Sequence, residues 1–244
     1  MITNTQSGTR VDEIASGIFR ISTPLPPTAG GPPTGFSFNQ YLVVDEQPLL
    51  FHTGPRRMFQ LTREAIAAVL PVERLRLVGL SHYEADECGA LNDLLGAAPE
   101  ATPVCSFVAA LTSIQDQATR PPRVLRDGET LSLGTHRVRW FDTPHLPHGW
   151  ECGYLFEETT RTLLCGDLFT QGGATPPPLT EADILGPSEA FRAPMDYFSH
   201  ARNARAQVER LAATAPRTLA CMHGSAWAGD GAAILRALGE ALDR

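Results

Sequence analysis

The sequence predicts an α/β fold of four layers: two β-sheets packed face to face, with helices on their outer sides. Three observations point there. Short apolar, strand-like runs recur along all 244 residues. Both halves of the chain run from strands to helices. Acidic and histidine residues gather where strands should end. With 43% hydrophobic and 19% charged residues, the chain can bury one large core, and long disordered stretches are not expected. One domain spanning 1–244 is the expected organisation, and no repeat of fixed period is visible.

The elements follow in order. "GIFRIS" (17–22), "FSFNQYLVV" (36–44) and "PLLFHT" (48–53) read as strands. Between the first two, "PLPPTAGGPPTG" (24–35) is a loop, because its prolines and glycines break a ladder. In 56–70, Met58, Leu61, Ala65 and Val69 recur at helical spacing. A buried strand at 75–80, a helix at 88–98, a strand at 102–107 and a helix at 108–118 come next. The turn signal "RDG" then opens a second series of strands at 130–133, 136–142, 153–157 and 162–166. A second Pro-rich loop covers 172–187. A long helix at 196–213, a strand at 217–222 and a helix at 230–242 close the chain. The two Pro-rich loops are expected to rim a site, since long ordered loops on such a scaffold tend to be functional.

Composition excludes several classes. With 20 basic and 27 acidic residues the net charge is −7, and no basic block stands out, so nucleic acid and anionic membranes are not expected partners. The start, "MITNTQSGTRVDEI", lacks the basic-then-apolar pattern of a secretory leader, and no apolar run is long enough to span a membrane. A cytoplasmic location is expected. The cysteines, Cys88, Cys105, Cys152, Cys165 and Cys221, are odd in number and form no C-x-x-C pair, which predicts free thiols.

Four segments carry the chemistry: "SHYEADE" (81–87), "TPHLPHGWE" (143–151), "LLCGDLF" (163–169) and "CMHGSAW" (221–227). Each follows or interrupts a predicted strand, and loops at one set of strand ends build sites in α/β sheets. One such cluster reads equally well as a solvated loop. Four that converge are the pattern of a metal site. Crowded carboxylates repel unless a cation neutralises them, and two metal ions would let Glu84, Asp86 and Asp167 stand together. Imidazole with several oxygen donors suits iron, zinc or manganese.

With these residues in place, the chain resembles the metallo-β-lactamase superfamily over nearly its whole length. "PLLFHTGP" is similar to a strand that there usually ends in Asp-x-Gly, with His52 where the Asp often stands. "RTLLCGDLF" is similar to the Gly-Asp that bridges two metals, and "CMHGSAW" to the last His-Gly. Zinc hydrolases of the superfamily usually carry H-x-H-x-D-H. Here the positions read His82-x-Glu84-x-Asp86-Glu87. Glu in place of the second His resembles the di-iron branch, the flavodiiron proteins that reduce oxygen or nitric oxide, and most of all their stand-alone oxygen-binding relatives.

The resemblance implies His82, Glu84, Asp86, His148, Asp167 and His223 as metal ligands, with Asp167 as the bridge. His148 is preferred to His145 because 18 residues separate it from Asp167, as in that branch. Glu87 stands where many relatives have His; it is either a ligand or an exposed acid at a helix start. His145 and His52 are candidate supports of the ligands rather than ligands themselves. His136 and His200, without evident partners, are expected on the surface, and Trp150, Tyr197 and Phe198 are candidate pocket walls. The implied cofactor is two iron ions, with zinc or manganese as alternatives. The implied activity is binding or reducing a diatomic gas, centred on Asp167 and Glu84, with electrons from an external donor such as a rubredoxin or a flavin protein. No flavodoxin-like phosphate loop or flavin site is visible. A homodimer is among the compatible assemblies. Two other readings stay open: a dinuclear hydrolase of esters, thioesters, lactones or phosphodiesters, and a sensor without turnover.

Overall fold

A computed structural model describes residues 1–29 and 31–243. The first sheet has eight strands in sequential order: β1 (Ile2–Asn4), β2 (Thr9–Ala15), β3 (Ile18–Leu25), β4 (Phe36–Val43), β5 (Leu49–Phe51), β6 (Leu77–Gly79), β7 (Thr102–Ser106) and β8 (Arg123–Leu125). It is antiparallel through β5 and parallel from β5 to β8. The helices of this half are α1 (Phe59–Ala67), α2 (Ala85–Cys88), α3 (Leu91–Ala97), and the short α4 (Phe107–Ala109) and α5 (Gln115–Gln117) joined by a π-helical turn. The second sheet holds β9 (Thr130–Ser132), β10 (Arg137–Asp142), β11 (Gly153–Glu157), β12 (Thr162–Gly166), β13 (Leu179–Thr180), β14 (Thr218–Cys221) and β15 (Ala226–Ala228). Its strand order is β13-β15-β14-β12-β11-β10-β9. Helices α6 (Leu185–Met195), α7 (Ala204–Ala212) and α8 (Gly231–Leu242) belong to this half.

Side-chain alternation sorts the core into layers. On β5, Leu49 and Phe51 face the second sheet, where they join Tyr41, Trp140, Leu155, Leu164 and Ala220. Leu50 points the other way, into a cluster with Ala65, Ile66, Leu91, Leu94 and Ile114 of the first helical layer. On β12 and β14, Leu164 and Ala220 face inward, while Leu163, Cys165, Leu219 and Cys221 pack with Val208, Leu211, Leu235 and Leu238. Both faces of the central strands are covered, which is why those strands read as continuous apolar runs. The fold is the expected four-layer α/β sandwich.

Several local expectations change. The hairpin β2–β3 begins at Thr9, earlier than the reading at 17, because Asp12 and Glu13 interrupt an otherwise alternating run. Residues 185–195 are helical although the loop was expected to reach 187. Pro187 lies in the first turn, where backbone N–H groups have no helical partner, so the ring costs little there. The expected helix at 196–213 forms only over Ala204–Ala212. Asp196 turns left-handed (φ 44°), and the segment after it is held by the 143–152 loop: the Ser199 N–H donates to the Pro147 carbonyl at 2.7 Å. His136, expected on the surface, is buried, with Nδ1 3.0 Å from Glu157 Oε1. Its partner lies on the neighbouring antiparallel strand, too far along the chain for sequence to pair them. His200 is exposed, 2.8 Å from Asp196. The five cysteines are free and buried. No helix among the described residues is long and apolar enough to cross a membrane.

Candidate metal centre

The ends of β6, β12 and β14 and the β10–β11 loop meet at one edge of the sandwich. His82 follows β6, and Glu84 is the extended residue that opens α2, on which Asp86 and Glu87 lie. The β10–β11 loop brings His148, the residue after β12 is Asp167, and His223 follows β14. Gly166 makes the approach possible. It takes a left-handed φ of 49°, and a Cβ there would lie 2.8 Å from Tyr154 and 3.1 Å from Ser81 Oγ. Any larger residue would push Asp167 away from the His82 segment.

The side chains fall into two groups. His82, Glu84, His148 and Asp167 bring donor atoms within 4.8 Å of one another, and so do Asp86, Glu87 and His223. His82 Nε2 lies 3.1 Å from Glu84 Oε2 and 3.0 Å from His148 Nε2. Asp167 faces both groups. Its Oδ2 is 3.6 Å from His82 and 3.8 Å from His148, while its Oδ1 is 3.3 Å from His223 Nε2. His223 is also 3.3 Å from Asp86. Glu87, undecided from sequence, is fully buried at the seam between the groups, 3.8 Å from His82.

The outer nitrogens are anchored. His148 Nδ1 is 2.9 Å from the Tyr197 carbonyl, and His223 Nδ1 is 2.9 Å from that of Ser37. His82 Nδ1 is 3.0 Å from Ser81 Oγ, which lies 2.9 Å from His52 Nε2. Every Nε2 therefore turns inward, the arrangement of metal-binding imidazoles, whose far nitrogen is fixed by a second partner. Both Glu87 oxygens and Asp167 Oδ1 are buried with no well-formed hydrogen bond among the described residues. Orphaned carboxylate oxygens are costly in an interior unless a cation meets them, so this donor set fits a pair of metal ions. Of the two histidines in the β10–β11 loop, His148 lies in the first donor group and His145 does not. His145 is exposed and lines a separate surface pocket with Phe198 and His200, so it does not support the group. His145→Ala is expected to leave metal content unchanged and to shift stability by less than about 1 kcal/mol, checked by metal analysis and thermal unfolding.

Charge is tightly balanced without metal. Burial alone would push the His82 imidazolium down, but Glu87, Glu84 and Asp167 outweigh it and hold it well above its ordinary range. Burial opposes charge on His223 too, yet Asp167 and Asp86 raise it to about 10. The Glu84 hydrogen bond raises His148. Burial, then the charge of Asp167, pushes the Glu87 carboxyl well up. Hydrogen bonds from His148 and His82 hold Glu84 down to about 2. Groups raised in this way keep their protons to higher pH, so a metal ion bound here would have to displace those protons, and its affinity would rise with pH. Metal uptake near pH 7 is expected to release about two or more protons per chain. Calorimetry in buffers of different ionisation heat measures this, and release of less than one proton would contradict it.

The rim is apolar. Phe36 stacks on His223 with centroids 4.2 Å apart and on Phe191 at 5.4 Å. Beyond them, residues of both Pro-rich segments, among them Pro32, Pro33, Gly172 and Pro187, line a pocket of about 580 Å³. Of the candidate walls, Tyr197 lies beside His148, Phe198 is in the core, and Trp150 is 55% exposed.

A two-sheet sandwich with imidazoles and carboxylates at its strand ends defines the metallo-β-lactamase class. Within it, the chain belongs to the family described as ODP family beta lactamase, whose model matches residues 36–224. It is 32% identical over 143 residues to the rubredoxin-oxygen oxidoreductase of Megalodesulfovibrio gigas, covering 57% of this chain and 35% of that protein. It is 25% identical over 212 residues to the anaerobic nitric oxide reductase flavorubredoxin of Pectobacterium atrosepticum, covering 82% and 41%. The structure of rubredoxin oxygen:oxidoreductase from Desulfovibrio gigas superposes with a TM-score of 0.77 at 23% identity, covering 94% of this chain and 61% of that one. The chain thus spans well under half the length of these two curated relatives.

Proposed function

We propose that this chain is a non-haem di-iron protein that binds or reduces oxygen or nitric oxide, using electrons from an external donor such as a rubredoxin or a flavin protein. The observation that carries the reading is Asp167, which turns one oxygen to each of two donor groups. His82, Glu84 and His148 would hold one ion; Asp86, Glu87 and His223 would hold the other, with Asp167 between. The names of the relatives, an oxygen oxidoreductase and a nitric oxide reductase, support the choice of reaction.

Bound iron would supply the one-electron chemistry. The chain's own residues do the rest. Glu84, Asp86, Glu87 and Asp167 place anionic oxygen donors around the ions, and such donors favour the higher oxidation state. Tyr197, Ser37 and Ser81 fix the three imidazoles, so that each ligand is set before a gas arrives. Phe36 and Phe191 keep the approach past His223 apolar, which suits a small uncharged ligand.

The test is metal content of protein from its own host, with a visible spectrum before and after air, and gas consumption with a supplied reductant. Two irons per chain, an oxygen- or nitric-oxide-dependent spectral change and steady consumption are expected. Zinc-loaded protein that hydrolyses esters or thioesters efficiently, with an iron form inert to both gases, would overturn the reading. A spectral change without turnover would make the chain a sensor.

A further inference from the structure

Cys165 and Cys221 stand beside the centre and take no part in the reading above. Both are fully buried, with sulfurs 3.9 Å apart. They lie on the neighbouring parallel strands β12 and β14, on the face packed with Leu211 and Leu235. Each comes two residues before a group of the centre: Cys165 before Asp167, Cys221 before His223. Those two groups approach to 3.3 Å.

The strand register leaves room for movement. Leu164 pairs with Ala220 and Gly166 with Cys221, so Cys165 is the extra residue of a bulge. A bulged residue stands outside the ladder, so its backbone is not held by the register of its neighbours. A disulfide requires sulfurs at ~2.05 Å, so the pair must close by roughly 2 Å, within reach of side-chain rotation with a small backbone shift. Burial also limits what can oxidise it. Reagents in solution do not reach the sulfurs, and buried thiols in apolar surroundings are poor nucleophiles. The oxidant within reach is the centre at the ends of the same two strands.

We propose that Cys165 and Cys221 act as a two-electron reserve for the metal pair. The proposal rests on the di-iron reading. In the step, the S–H bonds of Cys165 and Cys221 would break and one S–S bond would form between them; a bound pair of ferric ions would take up the two electrons, one each, and the two protons would end in solvent. The reverse step restores the thiols when an external donor keeps the irons ferrous.

The experiment is an anaerobic titration of diferrous, thiol-reduced protein with hexacyanoferrate(III), followed by acid quench, unfolding and alkylation of free thiols. Wild type is expected to consume about four oxidising equivalents, two from iron and two from the dithiol couple. Two fewer cysteines are then alkylated, and a peptide linking Cys165 to Cys221 appears. Cys165→Ala and Cys221→Ala are expected to consume about two equivalents and to form no such link. Wild type that consumes two equivalents with every thiol still free overturns the proposal and leaves the di-iron reading standing. A chain that takes up no redox-active iron removes both. Zinc-loaded wild type is the control, and equal disulfide formation there overturns the coupling to the centre. Should either alanine variant fail to hold iron, the wild-type equivalents and the zinc comparison decide alone.

Discussion

If the proposed di-iron reading holds, Asp167→Ala is expected to leave at most one metal ion per chain and to abolish gas consumption. Asp167 is the side chain whose two oxygens face different donor groups, 3.6 Å from His82 on one side and 3.3 Å from His223 on the other. Its neighbours offer no substitute. Glu87 is already enclosed, and Glu84 lies on the outer side, half-exposed. Removing Asp167 also leaves His82 and His223 without a shared counter-charge. Loss of a partner one step removed from a metal costs roughly 10–100-fold in affinity, so loss of this group should exceed that range. Asp167→Asn separates shape from charge: it keeps the volume and one carbonyl acceptor, and should retain more metal than alanine does. Metal analysis after dialysis reads the result. Two ions held by Asp167→Ala would show that the bridge lies elsewhere.

Glu84→His is expected to turn the chemistry of the centre. A carboxylate is a harder, more anionic donor than imidazole, so it favours Fe(III) over Fe(II) and over zinc. Its negative charge also weakens the ions as Lewis acids and makes a metal-bound water less acidic. Both effects support redox work and oppose hydrolysis. The site can accept the change, because Glu84 is 51% exposed and meets its partners from the open side. Relative to wild type, Glu84→His should raise the preference for zinc over iron by at least roughly tenfold, about 1.4 kcal/mol. Gas consumption should fall, and slow ester or thioester hydrolysis should appear in the zinc form. The measurement loads both proteins with each metal and follows gas uptake and hydrolysis side by side. An unchanged metal preference would remove Glu84 from the explanation.

That His82, Glu84, Asp86, His148, Asp167 and His223 gather at one place could be read from sequence because each interrupts or follows an apolar run, where charge has no packing reason to be. The place of Glu87 could not. An acid in the first turn of a helix is ordinary, since the helix end attracts negative charge, and only the sheet-to-sheet closure shows that this one is buried. His136 and Glu157 failed for a related reason: antiparallel pairing joins them across 21 positions, and no local pattern marks it. The supports of the imidazoles were hidden more deeply. Two are backbone carbonyls, of Tyr197 and Ser37, which any residue supplies. Helix α6 escaped because prolines signal loops, yet Pro187 and Pro194 sit near its two ends rather than at its middle.

Both donor groups straddle the seam of the sandwich. His82, Glu84, Asp86 and Glu87 follow a strand of the first sheet, whereas His148, Asp167 and His223 follow strands of the second. A bound ion would therefore act as a clasp between two halves of the chain that meet late in sequence, His82 and His148 being 66 positions apart. Such a clasp cannot close during early, local folding; both sheets must form and dock before any ion finds its full set of donors. Any ion taken up would then be the one offered to a finished mouth, not one selected by a nascent peptide. Once in place, it opposes parting of the sheets, so the loaded chain should lose its ions and its architecture in a single slow event.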